Sequence, residues 1–171
     1  MKNVRRRYVV GLVLLCVMVV SPLVLRMTLS SEPPILWVVS ASGERGLTME
    51  DLERLPQIER RGTYQNQFSN WRDEGIYRGP RLAAILGDDA FDTAVIIASD
   101  GYRMEIPRVR VEDESHPMIV AITMDGRHPP AWADGPRIAV LPEDGDISNE
   151  EYDAVSAGSY WVKNVARIEL E

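Results

Sequence analysis

After the first 34 residues the apolar side chains come in short runs, and their length limits what the chain can build. "ILWVVS" (35–40), "TAVIIAS" (93–99), "MIVAITM" (118–124) and "RIAVLP" (137–142) have the length and branched character of strands. "DG" at 100–101 followed by the alternating "YRMEIP" makes residues 93–106 a predicted β-hairpin. "IERRGTYQNQF" (58–68) alternates loosely and predicts a further strand, whereas "SNWRDEGIYRG" (69–79) reads as polar and turn-like.

Three short helices are expected. In "LTMEDLERLP", Thr48 can cap, Asp51 can close a weak capping box, and Pro56 stops the helix. "GPRLAAILG" offers Pro80 as first helical residue and Gly87 at the end. "SNEEYDAV" offers Ser148 as cap and Glu151 to close the box. Strands outnumber helices and no internal repeat is found, so the expected class is α+β with a mainly antiparallel or mixed sheet.

The chain opens "MKNVRRRYVVGLVLLCVMVVSPLVLRMTLSS", a basic stretch before an apolar run from Tyr8 to Leu25. Those 18 residues reach about 27 Å as a helix, enough to cross the hydrocarbon layer. Residues 1–29 therefore read as a signal-anchor or signal peptide, and the lack of an Ala-x-Ala site favours the anchor. Arg5, Arg6 and Arg7 would stay cytoplasmic, placing the remainder on the outer side, periplasmic and tethered to the inner membrane if residues 8–25 are retained. "SSEPP" (30–34) is a linker, and residues 30–44 comprise linker and first strand.

Five of the 19 Lys and Arg residues, and none of the 26 acidic ones, fall in the first 26 positions. The remainder thus carries 14 basic against 26 acidic side chains, a net charge of −12, which argues against nucleic acid or an anionic membrane surface as partner. Cys16 is the only cysteine, so the outer domain has neither an internal disulfide nor a cysteine-ligated metal.

His116 and His128 each sit beside proline and do not make a metal motif. There is no Gly-x-Ser-x-Gly elbow, no Gly-x-Gly-x-x-Gly and no P-loop, and "PEDGDISNEE" misses the calcium-loop spacing. What remains is a scatter of cations and aromatics at loop and element ends: Trp71, Tyr77, Arg78, Arg81, Tyr102, Trp132, Arg137, Trp161 and Lys163. Aromatic faces and guanidinium planes suit a flat heterocycle, although the same residue types also fill cores and decorate surfaces. Lys163 is conspicuous as the only lysine after Lys2 in a chain with seventeen arginines.

The order of "TMEDLERLP", "YRGPRLAAIL", "SDGYRMEIP", "IVAITMDGRHP", "DGPRIAVLP" and "YWVKNVARIEL" resembles the molybdopterin-binding domain of the sulfite oxidase family over roughly residues 45–170. The resemblance implies a sulfite oxidase-like α+β fold for residues 45–171 and a pterin-type cofactor. It also implies that basic residues near the last two strands, here Arg137 and Lys163, hold the cofactor phosphate. Enzymes of the family bind molybdenum through a cysteine ahead of the aromatic-x-Gly-x-x-Leu helix, and the matching stretch, "RRGTYQNQFSNWRDEGIYRG", has none. Molybdenum is therefore not expected, because the redox chemistry belongs to that centre rather than to the fold.

Small exported proteins of the same fold that lack this cysteine are similar too. They are periplasmic pterin-binding regulators, which report a reduced pterin to an inner-membrane enzyme that makes or degrades cyclic di-GMP. "TYQNQF", "YRGPRL" and "SYWVKNV" approximate their pattern, with Thr63 and Asn66 one residue further apart. This likeness implies a pterin-binding signalling protein acting on a membrane partner with a periplasmic domain. Trp71, Tyr77 and Trp161 would stack on the bicyclic ring, and Arg78, Arg137 and Lys163 would make polar contacts to its edge. Asp100 and Tyr102 would shape the pocket mouth, with a plain turn as the other role for Asp100. The alternatives are a molybdopterin-dependent oxidoreductase, or a subunit of one, and a tethered interaction module whose pocket has degenerated.

Overall fold

The computed structural model describes residues 32–171, so the apolar segment 8–25 and Cys16 lie outside the described residues. Eleven strands and three short helices are found there: β1 (Leu36–Ser40), β2 (Gly43–Leu47), α1 (Met49–Arg54), β3 (Gln57–Gln65), β4 (Trp71–Pro80), α2 (Leu82–Leu86), β5 (Thr93–Ala98), β6 (Arg103–Pro107), α3 (Arg108–Val111), β7 (Met118–Ala121), β8 (Thr123–Met124), β9 (Arg137–Val140), β10 (Asp146–Ile147) and β11 (Val165–Leu170). A single 3-10 turn, Ala157–Tyr160, precedes β11. None of these helices is long and apolar enough to cross a membrane.

Three sheets share the core. One runs β2-β1-β11-β5-β6, the second β10-β3-β4-β8, and β7 pairs with β9 alone. Only β1 with β11 and β10 with β3 are parallel. The β5–β6 pairing, Thr93 opposite Pro107 through Ile97 opposite Arg103, is the expected hairpin, and Gly101 at φ 90° supplies a turn geometry that other residues rarely adopt. Every residue of β7 and β9 is buried, the apolar ones and also Arg137, which opens β9.

Local chemistry explains the first two helices. The Thr48 hydroxyl accepts from the Asp51 N–H at 3.1 Å while the Asp51 carboxylate accepts from the Thr48 N–H at 3.0 Å, so the capping box is complete. The helix stops at Leu55, whose extended conformation is the one favoured before proline. At α2, Gly87 closes the last turn at φ 65°, its N–H donating to the Ala83 carbonyl at 2.9 Å.

Three expectations are corrected. Pro80 is not the first helical residue: it ends β4 opposite Gln57, and Arg81 takes the N-cap position. The polar stretch 71–80 is not a turn but the longest strand, with β3 along its length and one polar face in water, as antiparallel sheets allow. "SNEEYDAV" begins one turn, with the Ser148 hydroxyl accepting from the Glu151 N–H at 3.1 Å, and then leaves the helical path. Asn149 diverts it by accepting from the Ala154 N–H on its carbonyl and from the Ala157 N–H on its side chain, while Asp153 turns to φ 45°.

β4 crosses β7 so closely that a Cβ at Gly79 would lie 2.8 Å from the Ala121 Cα and 2.7 Å from the Val120 carbonyl carbon, so only glycine fits. This crossing seats Tyr77 in the interior with Trp132 and Trp161, and so sets the back wall of the site.

Candidate functional site

A cavity of about 290 Å³ opens beside the β5–β6 turn. Four sequence-predicted residues meet there: Asp100 and Tyr102 from the turn, and Trp161 and Lys163 from the segment between the 3-10 turn and β11. Tyr64 at the end of β3 and Gly158 and Ser159 complete its wall. The Tyr64 and Trp161 rings lie 5.0 Å apart at 43°, giving the cavity an aromatic side. A Cβ on Gly158 would press into the Tyr64 ring, so only glycine lets the 3-10 turn pack this closely on it.

Tyr77 and Arg137 stand behind that wall and do not line it. Both are fully buried. The Tyr77 ring meets Trp161 edge-on at 5.2 Å, and the Arg137 guanidinium lies 5.3 Å from the Trp161 ring and 5.7 Å from that of Tyr77. Trp71 and Arg78 also lie outside the cavity lining. Trp71 is half exposed at the start of β4, opposite Gln65, and Arg78 sits mid-strand between Glu59 and Thr123. Of the wider scatter, Trp132 is buried against Tyr77 and Arg81 caps α2.

Asp73 and Asp134, which sequence reasoning missed, organise these cations. Between the Gly62–Gly75 and Tyr64–Arg72 pairs Thr63 faces two β4 residues, so the bulge lies on β4 and Asp73, at φ 52°, is part of it. One carboxylate oxygen, Oδ2, accepts from the Tyr64 hydroxyl at 3.0 Å and from Arg137 Nη1 at 3.1 Å, and lies 3.3 Å from Lys163 Nζ. Burial pushes the Asp73 carboxyl up, but the Arg137 charge and hydrogen bond, with Lys163 and the Tyr64 hydroxyl, hold it below the ordinary carboxylate range. Burial and the Asp73 charge push the Tyr64 hydroxyl up, so it remains a donor.

Lys163 also donates to Asp134 Oδ2 at 2.7 Å. Burial opposes its charge, yet the Asp134 hydrogen bond and the Asp73 charge raise its pKa above the usual lysine value. Arg137 and Lys163 are thus matched by Asp73 and Asp134, and at the mouth Asp100, whose Oδ1 accepts from the Tyr102 N–H at 3.0 Å, makes no ion pair among the described residues. A phosphate would have to displace existing carboxylate partners, whereas an uncharged heterocycle with donor groups on its edge would not.

The donor set does not fit molybdenum. The described residues contain no cysteine, and no group of three or more His, Asp and Glu converges among them. His116 Nδ1 faces both Ser115 Oγ at 2.9 Å and Asp113 Oδ2 at 3.1 Å, and its Nε2 faces Glu151 Oε1 at 3.3 Å, so a carboxylate stands at each ring nitrogen. His128 stands 4.0 Å from Glu53. Two larger hollows, of about 540 and 470 Å³, are lined mainly by charged residues around Arg110 and Glu143 and hold no Trp or Tyr face.

No family model matches the chain, and no curated protein matches it. Among solved structures it is similar to a chain of the sulfane dehydrogenase SoxCD from Paracoccus pantotrophus, with a TM-score of 0.58 and 15% identity. The match covers 82% of this chain but 39% of the dehydrogenase chain. That likeness shows the fold alone, a sheet-rich sulfite oxidase-like architecture with short helices.

Proposed function

We propose that this chain is an exported pterin-binding protein that takes its ligand without molybdenum and reports it to a membrane partner, such as an enzyme that makes or degrades cyclic di-GMP. The observation that carries this reading is the cavity beside Trp161: an aromatic side, a polar mouth, and a volume of about 290 Å³. That volume lies just below the roughly 300–1,000 Å³ of small-molecule sites. It suits one bicyclic ring with a short side chain rather than a dinucleotide.

In this reading the ring lies against the face that Trp161 and Tyr64 form together, Asp100 accepts from its amino edge, and Lys163 closes the mouth. Asp100 gains weight over the cations assigned from the resemblance, because Arg137 is buried behind the wall and Lys163 is already paired. The ligand is accordingly an unphosphorylated pterin. A signal requires the partner to bind the loaded and empty forms with different affinity, since equal affinity shifts nothing.

Calorimetric titration of the purified full chain with tetrahydropterin, and with the same ring bearing a phosphate, tests this. Saturable binding of the first, stronger than of the second and lost in Trp161→Ala, is expected. No binding of either sinks the pterin reading. The fold likeness to a dehydrogenase chain favours one other reading, a molybdopterin oxidoreductase or a subunit of one. It requires molybdenum bound without a cysteine from the described domain.

A further inference from the structure

Two segments beside the cavity are tied together and expose apolar side chains. The Asn149 N–H donates to Gln65 Oε1 at 3.0 Å and its side-chain amide to the Asn66 carbonyl at 2.8 Å, joining the loop 148–156 to the tip of the β3–β4 hairpin. Phe68 and Trp71 on the hairpin and Val155 on the loop stand in water, Phe68 at 74% and Val155 at 87% exposure. Large apolar groups held out on an ordered, hydrogen-bonded frame mark a contact surface.

We infer that these joined tips are the docking surface for a protein whose contact face is apolar and bordered by lysine or arginine. Charge selects that occupant. The loop exposes Glu150, Glu151 and Asp153. Glu151 faces His116 Nε2 at 3.3 Å and Arg110 meets the loop at the Tyr152 carbonyl at 3.2 Å, which leaves Glu150 and Asp153 as the carboxylates facing outward, against Arg72 as the one Lys or Arg on the two segments. This acidic border repels anionic headgroups, and a second copy in two-fold pairing would set the same carboxylates against each other. A basic rim on the partner satisfies them.

The surface is coupled to the cavity through the chain itself. Tyr64 directly precedes the hairpin tip, Gly158 and Ser159 directly follow the loop, and all three wall the cavity. A ligand seated against the wall that Tyr64, Gly158 and Ser159 share therefore bears on both segments that present Phe68, Trp71 and Val155. Only the identity of that ligand rests on the pterin reading; the docking surface does not.

Photo-crosslinking in the native host tests the surface, with a photoreactive residue at Phe68 or Val155 of the full chain and at Glu105 on β6 as the remote control. The expected result is one protein adduct from Phe68 and Val155 and none from Glu105. The crosslinked partner peptide should be apolar and flanked by Lys or Arg. The adduct should fall severalfold in Glu150→Lys with Asp153→Asn, a pair chosen because asparagine tolerates the left-handed conformation at 153. An adduct of twice this chain's mass, a lipid adduct, equal labelling from Glu105, or no adduct overturns the proposal. A protein adduct that is unchanged when pterin synthesis is blocked keeps the docking surface and contradicts the pterin reading instead.

Discussion

Replacing Asp73 by asparagine isolates the charge that holds the site together. The left-handed backbone at φ 52° tolerates Asn, and an acceptor oxygen remains, so the change removes charge more than shape. Arg137 is fully buried; among the described residues its remaining hydrogen bond runs from Nη2 to the Trp161 carbonyl at 3.3 Å and its Nε has no partner. Stripping one partner from a buried ion pair costs about 3–5 kcal/mol, and because the Asp73 side chain is 28% exposed the lower end applies. Lys163, 43% exposed and still paired with Asp134, adds little. About 3 kcal/mol in a domain of this size lowers the melting temperature by roughly 10 °C. Arg137→Met in the Asp73→Asn background should recover most of that loss, because the uncompensated charge is then gone. Thermal melts of the wild type, both single variants and the double variant at pH 7 measure it. Asp73→Asn melting within about 2 °C of wild type would refute the idea of an electrostatic keystone.

Acid should expose the same group. Because the folded-state pKa of Asp73 is depressed, its stabilisation is present above the unfolded value near pH 4 and is lost as pH falls through the folded value. Between pH 5 and 2, wild type should therefore lose more stability than Asp73→Asn in paired denaturant titrations. Thr48→Ala, which removes the hydroxyl half of the α1 capping box and leaves the Asp51 carboxylate on the residue 48 N–H, should cost about 1 kcal/mol by urea unfolding with no effect on ligand binding. Gly158→Ala should press on Tyr64, destabilise by about 1–3 kcal/mol, and abolish pterin binding by calorimetry. Asp100→Asn, at an exposed turn, should leave the melt unchanged while weakening pterin binding; unchanged affinity would return Asp100 to a plain turn role.

What sequence could reveal followed from how local each cause was. Thr48, Gly87 and the 93–107 hairpin obey rules spanning a few residues, and the structure follows them. β4 could not be read in this way, since its polar residues become strand only through pairing with β3. The 148–155 turn fails as a helix because Asn149 finds partners in Gln65 and Asn66, more than eighty residues away. At the site, Trp161, Lys163, Asp100 and Tyr102 were recognisable as residue types at element ends. Tyr64 and Asp73 owe their roles to a bulge that no local pattern announces, and Asp134 owes its role to the approach of Lys163. Trp71 was misleading for the converse reason: an aromatic residue in a polar stretch looks like a ligand contact, and pairing with Gln65 sets it at the exposed strand start.

The most direct measurement is of what the native protein carries. The full chain, purified from its own host under reducing conditions, is denatured, and the released small molecules are identified by fluorescence and mass spectrometry while molybdenum is counted in the same sample. One unphosphorylated pterin per chain without molybdenum is the predicted result. Stoichiometric molybdenum would contradict it and point to an enzyme whose metal ligand lies elsewhere, and a chain that releases no pterin would leave the cavity without the ligand proposed for it.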